Sequence, residues 1–218
     1  LIPIPPCGHP MQNIETPPVF SAMIPMQVFN SLQVPSERKL LMQIQHLIIG
    51  GGAIDDALGK SLQEFPHAVW STYGMTETLS HIALRRLNGS NHSDWYTPFD
   101  NVSLSLSEEN TLIIHAPSVC SELLRTNDIA EFNQHGQFRI LGRKDNTINT
   151  GGVKVQIEQV EKELKPLLDC PFMITSVPDP KFGERIVLLI EAVHINHEQI
   201  NESIKKLPPY WRPKQIIR

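Results

Sequence analysis

Three groups of residues in this 218-residue chain combine the types and spacing that chemistry requires. The first is Ser71-Thr72-Tyr73-Gly74-Met75-Thr76-Glu77-Thr78, which follows the apolar run Ala68–Thr72. Gly74 permits a tight turn, Tyr73 offers a flat face for a base, Thr76 a hydroxyl for a phosphate, and Glu77 a hard oxygen for Mg²⁺. An ordinary strand–helix turn, with a threonine cap and a glutamate at the helix N-terminus, uses the same residue types. The second group is Asp128 with Arg143. A carboxylate beside a multi-donor guanidinium suits a ribose diol, and a plain salt bridge is the alternative. The third runs from Gly142 through Arg143, Lys144, Asp145 and Asn146 to Gly151-Gly152 and Val155. A double glycine there lets a ligand approach the backbone closely; Asp145–Asn146 and Gly151–Gly152 are equally legible as turns.

The elements that must position these groups follow from periodicity. Between Thr16 and about Leu87, apolar strands alternate with helical stretches: a strand at Gln45–Ile49, broken by Gly50-Gly51-Gly52, then a helix from Asp55 to about Glu64. Ala57, Leu58 and Leu62 form its expected apolar face. Such alternation predicts an α/β layer with a largely parallel sheet, extending to about residue 92. In those sheets ligands gather at the carboxyl ends of strands, where both the triple glycine and the Tyr73 turn fall. From 93 to 142 the texture predicts a small β unit, with strands at Val102–Leu106, Thr111–His115, Ile129–Phe132 and Gln137–Leu141. The turn Asn133-Gln134-His135-Gly136 makes the last two a hairpin, which brings Asp128 toward Arg143. Residues 143–218 read as a small α+β domain. It has a helix over Gln156–Lys165 with Ile157, Val160 and Leu164 inward, ended by Pro166. Glu158/Lys162 and Glu161/Lys165 are spaced for a solvated face. Strands at Phe172–Val177 and Arg185–Val193 and a helix from about His197 to Leu207 complete it.

Composition excludes several classes. Apolar residues are 40% and charged residues 19%, enough for a core and too few charges for a disordered chain. The formal net charge of −4 comes with no basic segment, which argues against a nucleic-acid binder. No apolar run approaches the ~20 residues of a membrane span. Cys7, Cys120 and Cys170 form no CxxC pair, so a reducing, cytoplasmic setting is expected and a zinc site is not. His9, His46, His67 and His92 lack metal-ligand spacing and are expected at the surface. The chain opens Leu1-Ile2-Pro3-Ile4 with neither an initiator Met nor a basic leader. It is therefore expected to be a piece of a longer polypeptide.

Taken in order, Tyr73-Gly74-Met75-Thr76-Glu77, the Thr-x-Asp at Thr126–Asp128, Gly142–Ile148 and Gly151–Glu161 resemble the adenylate-forming superfamily. That group comprises acyl-CoA synthetases, peptide-synthetase adenylation domains and luciferases. The resemblance covers about Thr16 to Arg218, including Pro178–Ile190 and the closing Leu207–Arg218. It implies ATP, Mg²⁺ and coenzyme A as ligands and a small carboxylic acid as substrate. Tyr73 would stack on adenine, Ser71 would meet the adenine amine, Thr76 would contact the α-phosphate, and Glu77 would bind Mg²⁺. Gly50, Gly51, Gly52 and Gly74 would line the nucleotide and acyl pocket. Asp128, assisted by Arg143, would hold the ribose hydroxyls. Asp145 would be the hinge about which a C-terminal domain turns between half-reactions, and Gly151 and Gly152 would line the pantetheine passage.

The chain also departs from that pattern. The family's Gly- and Ser/Thr-rich phosphate loop and its C-terminal catalytic Lys are not found, and both are expected to lie outside these residues. The piece alone is expected to be inactive. Thr126-Asn127-Asp128 stands where the family has Thr-Gly-Asp, and Ser71 where Asn or Asp is frequent. The triple glycine and Thr76–Leu84 resemble the o-succinylbenzoate–CoA ligase branch of menaquinone synthesis, in which His81 would hold a second substrate carboxylate. Another acyl-CoA synthetase, a carrier-protein-loading adenylation domain and a non-catalytic nucleotide-binding module are the alternatives.

Overall fold

The computed structural model describes residues 4–191 and 197–218. The chain forms two compact units: residues 1–104, 114–124 and 132–139, and residues 105–113, 125–131 and 140–218. The second unit takes in two segments that precede residue 140.

In the first unit, β1 (Phe20–Met23), β2 (His46–Ile49), β3 (Ala68–Gly74), β4 (His81–Arg86) and β5 (Thr97–Pro98) lie side by side in that order. The β1–β2 and β2–β3 pairs are parallel, whereas β3–β4 and β4–β5 are antiparallel. The sheet is thus parallel only in its first three strands. Helices α1 (Pro25–Gln33) and α2 (Pro35–Leu41) each begin on a proline, whose missing N–H costs nothing in a first turn. Helix α3 (Asp56–Leu62) starts on Asp55, whose carboxylate accepts from the Leu58 N–H at 2.8 Å. Leu58 and Leu62 pack into the core with Val28, Leu47, Ile49 and Val69, but Ala57, expected on the same face, is exposed. Buried Asn88 ties the entry to β3: it accepts from the Val69 N–H and donates to the carbonyls of Phe65 and His67.

Strands β6 (Ser103–Leu106), β7 (Thr111–Ala116), β8 (Cys120–Phe132) and β9 (Phe138–Arg143) form a four-stranded sheet in sequence order. The β8–β9 turn is the expected one, with Gly136 at φ 73° and the Asn133 N–H bonded to the Gln137 carbonyl. Strand β8 is much longer than Ile129–Phe132.

The second unit holds the sheet β11-β10-β13-β12, made from β10 (Thr147–Thr150), β11 (Val153–Gln156), β12 (Phe172–Asp179) and β13 (Gly183–Ile190). Strand β14 (Gln215–Ile217) runs parallel to β13. Helix α4 (Ile157–Leu164) buries Val160 and Leu164 against Ile148, Ile174 and Leu188, as its periodicity predicts. The α-helix ends at Leu164, just before Pro166, and a 3₁₀ turn, Lys165–Leu167, follows. Helix α5 (His197–Lys205) also matches expectation, while the predicted end of its preceding strand, Val193, lies outside the described residues.

Candidate active site

In the first unit the candidate residues gather where β2 and β3 end. Strand alternation places Val69, Ser71 and Tyr73 on one face of β3, and Trp70 and Thr72 on the other. Ser71 is only 3% exposed, and its hydroxyl lies 2.7 Å from the Tyr96 phenol. The pleat turns the Ser71 side chain, expected to face an adenine amine, into an aromatic cluster. Half-buried Tyr73 joins that cluster, edge-on to Phe138 at 5.2 Å and tilted against Tyr96 at 5.9 Å. The Arg85 guanidinium lies 5.1 Å over the Tyr96 ring.

Beyond β3 the chain forms a single 3₁₀ turn, Thr76–Thr78, and returns at once as β4. The strand–helix turn that these residue types also allow does not form, and His81 opens a strand. Thr78, which sequence reasoning passed over, holds the turn. Its buried hydroxyl accepts from the Met75 N–H at 3.0 Å and lies 2.7 Å from the Ser80 carbonyl. Leu79 reverses the chain at φ 59°, with its side chain 80% exposed. Gly74 is required by close approach, since a Cβ there would lie 2.3 Å from the Ser80 carbonyl oxygen. The turn thereby presents Thr76 and Glu77 to solvent. His81 is half-buried, with Nδ1 3.0 Å from the Ser80 hydroxyl and its ring edge-on to Phe99 at 5.5 Å.

Two of the three glycines after β2 are needed for shape. A Cβ on Gly50 would sit 2.2 Å from the Thr72 hydroxyl, and Gly51 has φ 76°. Gly51 and Gly52 expose their backbone.

In the second unit the hairpin brings Asp128 and Arg143 together as expected, with Oδ1 and Nη1 3.7 Å apart. Thr126 positions the carboxylate's strand: its buried hydroxyl donates to the Leu112 carbonyl at 2.8 Å and accepts from the Asp128 N–H at 3.1 Å. Arg143 also reaches Asp145 at 3.0 Å through Nη2, and Asn127 donates its amide to the same carboxylate. Asp145 sits in a 3₁₀ turn, Lys144–Asn146. Lys144 pairs with Glu109, whose carboxyl it holds below the usual range by hydrogen bonding and charge. Asn146 donates to Glu158 at 2.6 Å. Glu161 accepts from the Ile174 N–H, so neither Glu158 nor Glu161 is simply part of a solvated face. Gly142 lies so close that a Cβ would be 2.7 Å from both Gln156 Oε1 and Glu158 Oε2. Gly151 and Gly152 form a two-residue hairpin loop, with Thr150 opposite Val153 and φ of 59° and 80°, the pattern a type I′ turn demands.

No family model matches the chain. A 2-succinylbenzoate–CoA ligase from Salmonella typhimurium is 25% identical over 200 residues, covering 84% of this chain and 42% of that enzyme. An AMP-forming acyl-CoA synthetase/AMP-acid ligase II-like protein from Dyadobacter fermentans superposes with a TM-score of 0.63 at 28% identity. That match covers 97% of this chain and 63% of the other. ATP-bound MatB from Rhodopseudomonas palustris shares the fold at a TM-score of 0.77 and 19% identity, over 91% of this chain and 46% of its own. The chain thus spans about two fifths of the length of the curated relative it matches. The ordered motifs, the fold they build and these likenesses support a relationship of the chain to the adenylate-forming superfamily.

Proposed function

We propose that this chain carries nucleotide- and acid-facing parts of an AMP-forming acid–CoA ligase. The observation that carries the reading is the Thr76–Glu77 pair. It is an exposed hydroxyl and carboxylate with no hydrogen bond or ion pair among the described residues, on a turn fixed by the buried Thr78. Groups held in place yet left unengaged are ready for a phosphate and its counterion. The hard carboxylate oxygen of Glu77 fits Mg²⁺, which when bound would neutralise phosphate charge. In the first half-reaction a substrate carboxylate oxygen attacks the α-phosphorus of ATP. The bond to pyrophosphate breaks, leaving an acyl-adenylate. Thr76 donates to the α-phosphate, Tyr73 packs on the adenine, and the Gly50–Gly52 backbone borders the base. Asp128, paired with Arg143, accepts from the ribose hydroxyls. In the second half-reaction the coenzyme A sulfur attacks the acyl carbon, the thiol proton passes to solvent, and AMP leaves. Rotation about Asp145 and a pantetheine arm laid along Gly151–Gly152 belong to this step.

For the acid we propose an aryl dicarboxylate of the 2-succinylbenzoate class. The names of curated relatives support this, as does an imidazole, His81, a few residues past Glu77. No Gly- and Ser/Thr-rich phosphate loop occurs in these 218 residues, so alone they should release no pyrophosphate. Nucleotide contact is testable on the chain itself. AMP titrated into it should bind, and Asp128→Ala should weaken binding at least about tenfold through loss of a charge-assisted bond. Equal affinity in both proteins would refute the site. A chimera that completes the chain with the remaining part of a 2-succinylbenzoate–CoA ligase tests the substrate. Pyrophosphate release should favour 2-succinylbenzoate over monocarboxylic acids, and a flat acid profile would reject the assignment.

A further inference from the structure

The 3₁₀ turn Lys144–Asn146 buries none of its residues, so packing does not fix it; polar contacts do. Each residue is tied to a different neighbour. Lys144 pairs with Glu109, both about half-exposed, a tie that salt weakens. Asn146 is bonded to Glu158 of α4. Asp145 has two partners: Arg143, two residues away in the chain, and Asn127 on β8, eighteen residues away. The Asn127 amide nitrogen lies 3.2 Å from Oδ2 and 3.4 Å from Oδ1 of Asp145, straddling the carboxylate. Arg143 ends β9 and also faces Asp128 of β8, but it adjoins the turn in sequence. Among the described residues, Asn127 is the partner that bonds Asp145 directly to β8. Asn127 is itself exposed, so no burial requires that residue type there.

We infer that Asn127 is a positioning residue: its amide clasps the Asp145 carboxylate and sets how much of the time the 143–147 segment rests in this conformation. That the clasp bears on catalysis rests on the reading of Asp145 as a hinge. The chemistry is specific to an amide. A donor NH₂ satisfies a carboxylate, whereas an aspartate at 127 would crowd a third carboxylate onto Asp128 and Asp145.

The test is hydrogen exchange on the 218-residue chain, read at residues 144–147, where the Thr147 N–H donates to the Lys144 carbonyl. Asn127→Ala should speed exchange there about two- to tenfold, the range of one net hydrogen bond at an exposed site. Asn127→Asp should speed it further, and neither should move the thermal midpoint appreciably. In an Asp145→Ala background, Asn127→Ala should add nothing. Unchanged exchange, or the same acceleration with and without Asp145, overturns the clasp. A completed chimera separates this from the hinge reading. Faster exchange with an unaltered ratio of the two half-reaction rates keeps the clasp and removes the hinge.

Discussion

At Thr78 a single hydroxyl meets three backbone groups: the Met75 N–H, the Met75 carbonyl and the Ser80 carbonyl, all within 3.0 Å. It has one proton to give and two lone pairs, so it accepts from Met75 and donates to one carbonyl. Valine keeps the shape and removes all of this inside a buried site. Thr78→Val should therefore cost about 1–3 kcal/mol in urea denaturation, with Thr78→Ser retaining most of the stability. Equal losses in both would mean that the methyl group, not the hydroxyl, holds the turn. The next residue carries the opposite lesson. Leu79 holds φ 59° with an exposed side chain, so no burial compensates its backbone strain. Glycine relieves about 1–2 kcal/mol of strain and returns part of it, about 0.5–1 kcal/mol, as unfolded-state entropy. Leu79→Gly should raise the thermal midpoint by a few degrees; a fall would show that the leucine is unstrained. Strain at this position places the Thr76–Glu77 pair at the head of β4, and nothing in the local sequence Thr78-Leu79-Ser80 advertises it.

Among the elements, those with a strong local signal were legible. The Gly151–Gly152 loop, the Asn133–Gly136 turn and the inward stripe of α4 each follow from residue type at a fixed offset, and the structure has all three. What escaped depended on distant partners. Ile82 and Ala83 are neighbours and both buried, because β4 is covered on both faces; an apolar pair without alternation fits helix or strand equally. Cys120–Asp128 contains Ser, Glu, Arg, Thr and Asn with no clean alternation, so the full length of β8 is visible only once its neighbours are in place. The burial of Ser71 is not visible locally, because its partner, Tyr96, lies 25 residues away. Another such long-range tie gives a prediction. Glu184 of β13 accepts from the Ser176 hydroxyl of β12 at 2.6 Å and from the Asn149 N–H of β10 at 2.8 Å. The Ser176 bond first, then the Asn149 bond, hold its carboxyl below the ordinary value of 4.5. A carboxyl lowered on folding adds stability above its unfolded pKa and loses it as pH falls through the folded one. Wild type should therefore exceed Glu184→Gln in stability at neutral pH. The gap should close as the pH drops below about 4.5. A gap independent of pH would show that charge is not what the three strands share.

For the molecule as a whole, the proposed hinge role of Asp145 carries the most consequence, because the proposed two-step reaction would have to present two different sets of groups to one adenylate. Asp145 occupies the middle of a 3₁₀ turn that buries nothing, between β9 and a hairpin-and-helix assembly with its own apolar core. Such a segment can change its dihedrals without breaking hydrophobic packing, which is what a hinge requires. Proline suits the turn as it stands: its φ of about −65° lies within the 3₁₀ range. It also restricts Lys144 before it. Asp145→Pro should thus fold, and in a chimera completed with the remaining part of a related ligase it should hold one backbone state. Pyrophosphate exchange reports the first half-reaction, and thioester formation from preformed acyl-adenylate reports the second. Proline should spare pyrophosphate exchange and lower thioester formation by orders of magnitude. Alanine, which removes the carboxylate but leaves φ free, should disturb the second step far less. If proline and alanine impair both steps alike, Asp145 serves only as a structural partner of Arg143 and Asn127, and the two half-reactions must be served by some other motion or by none.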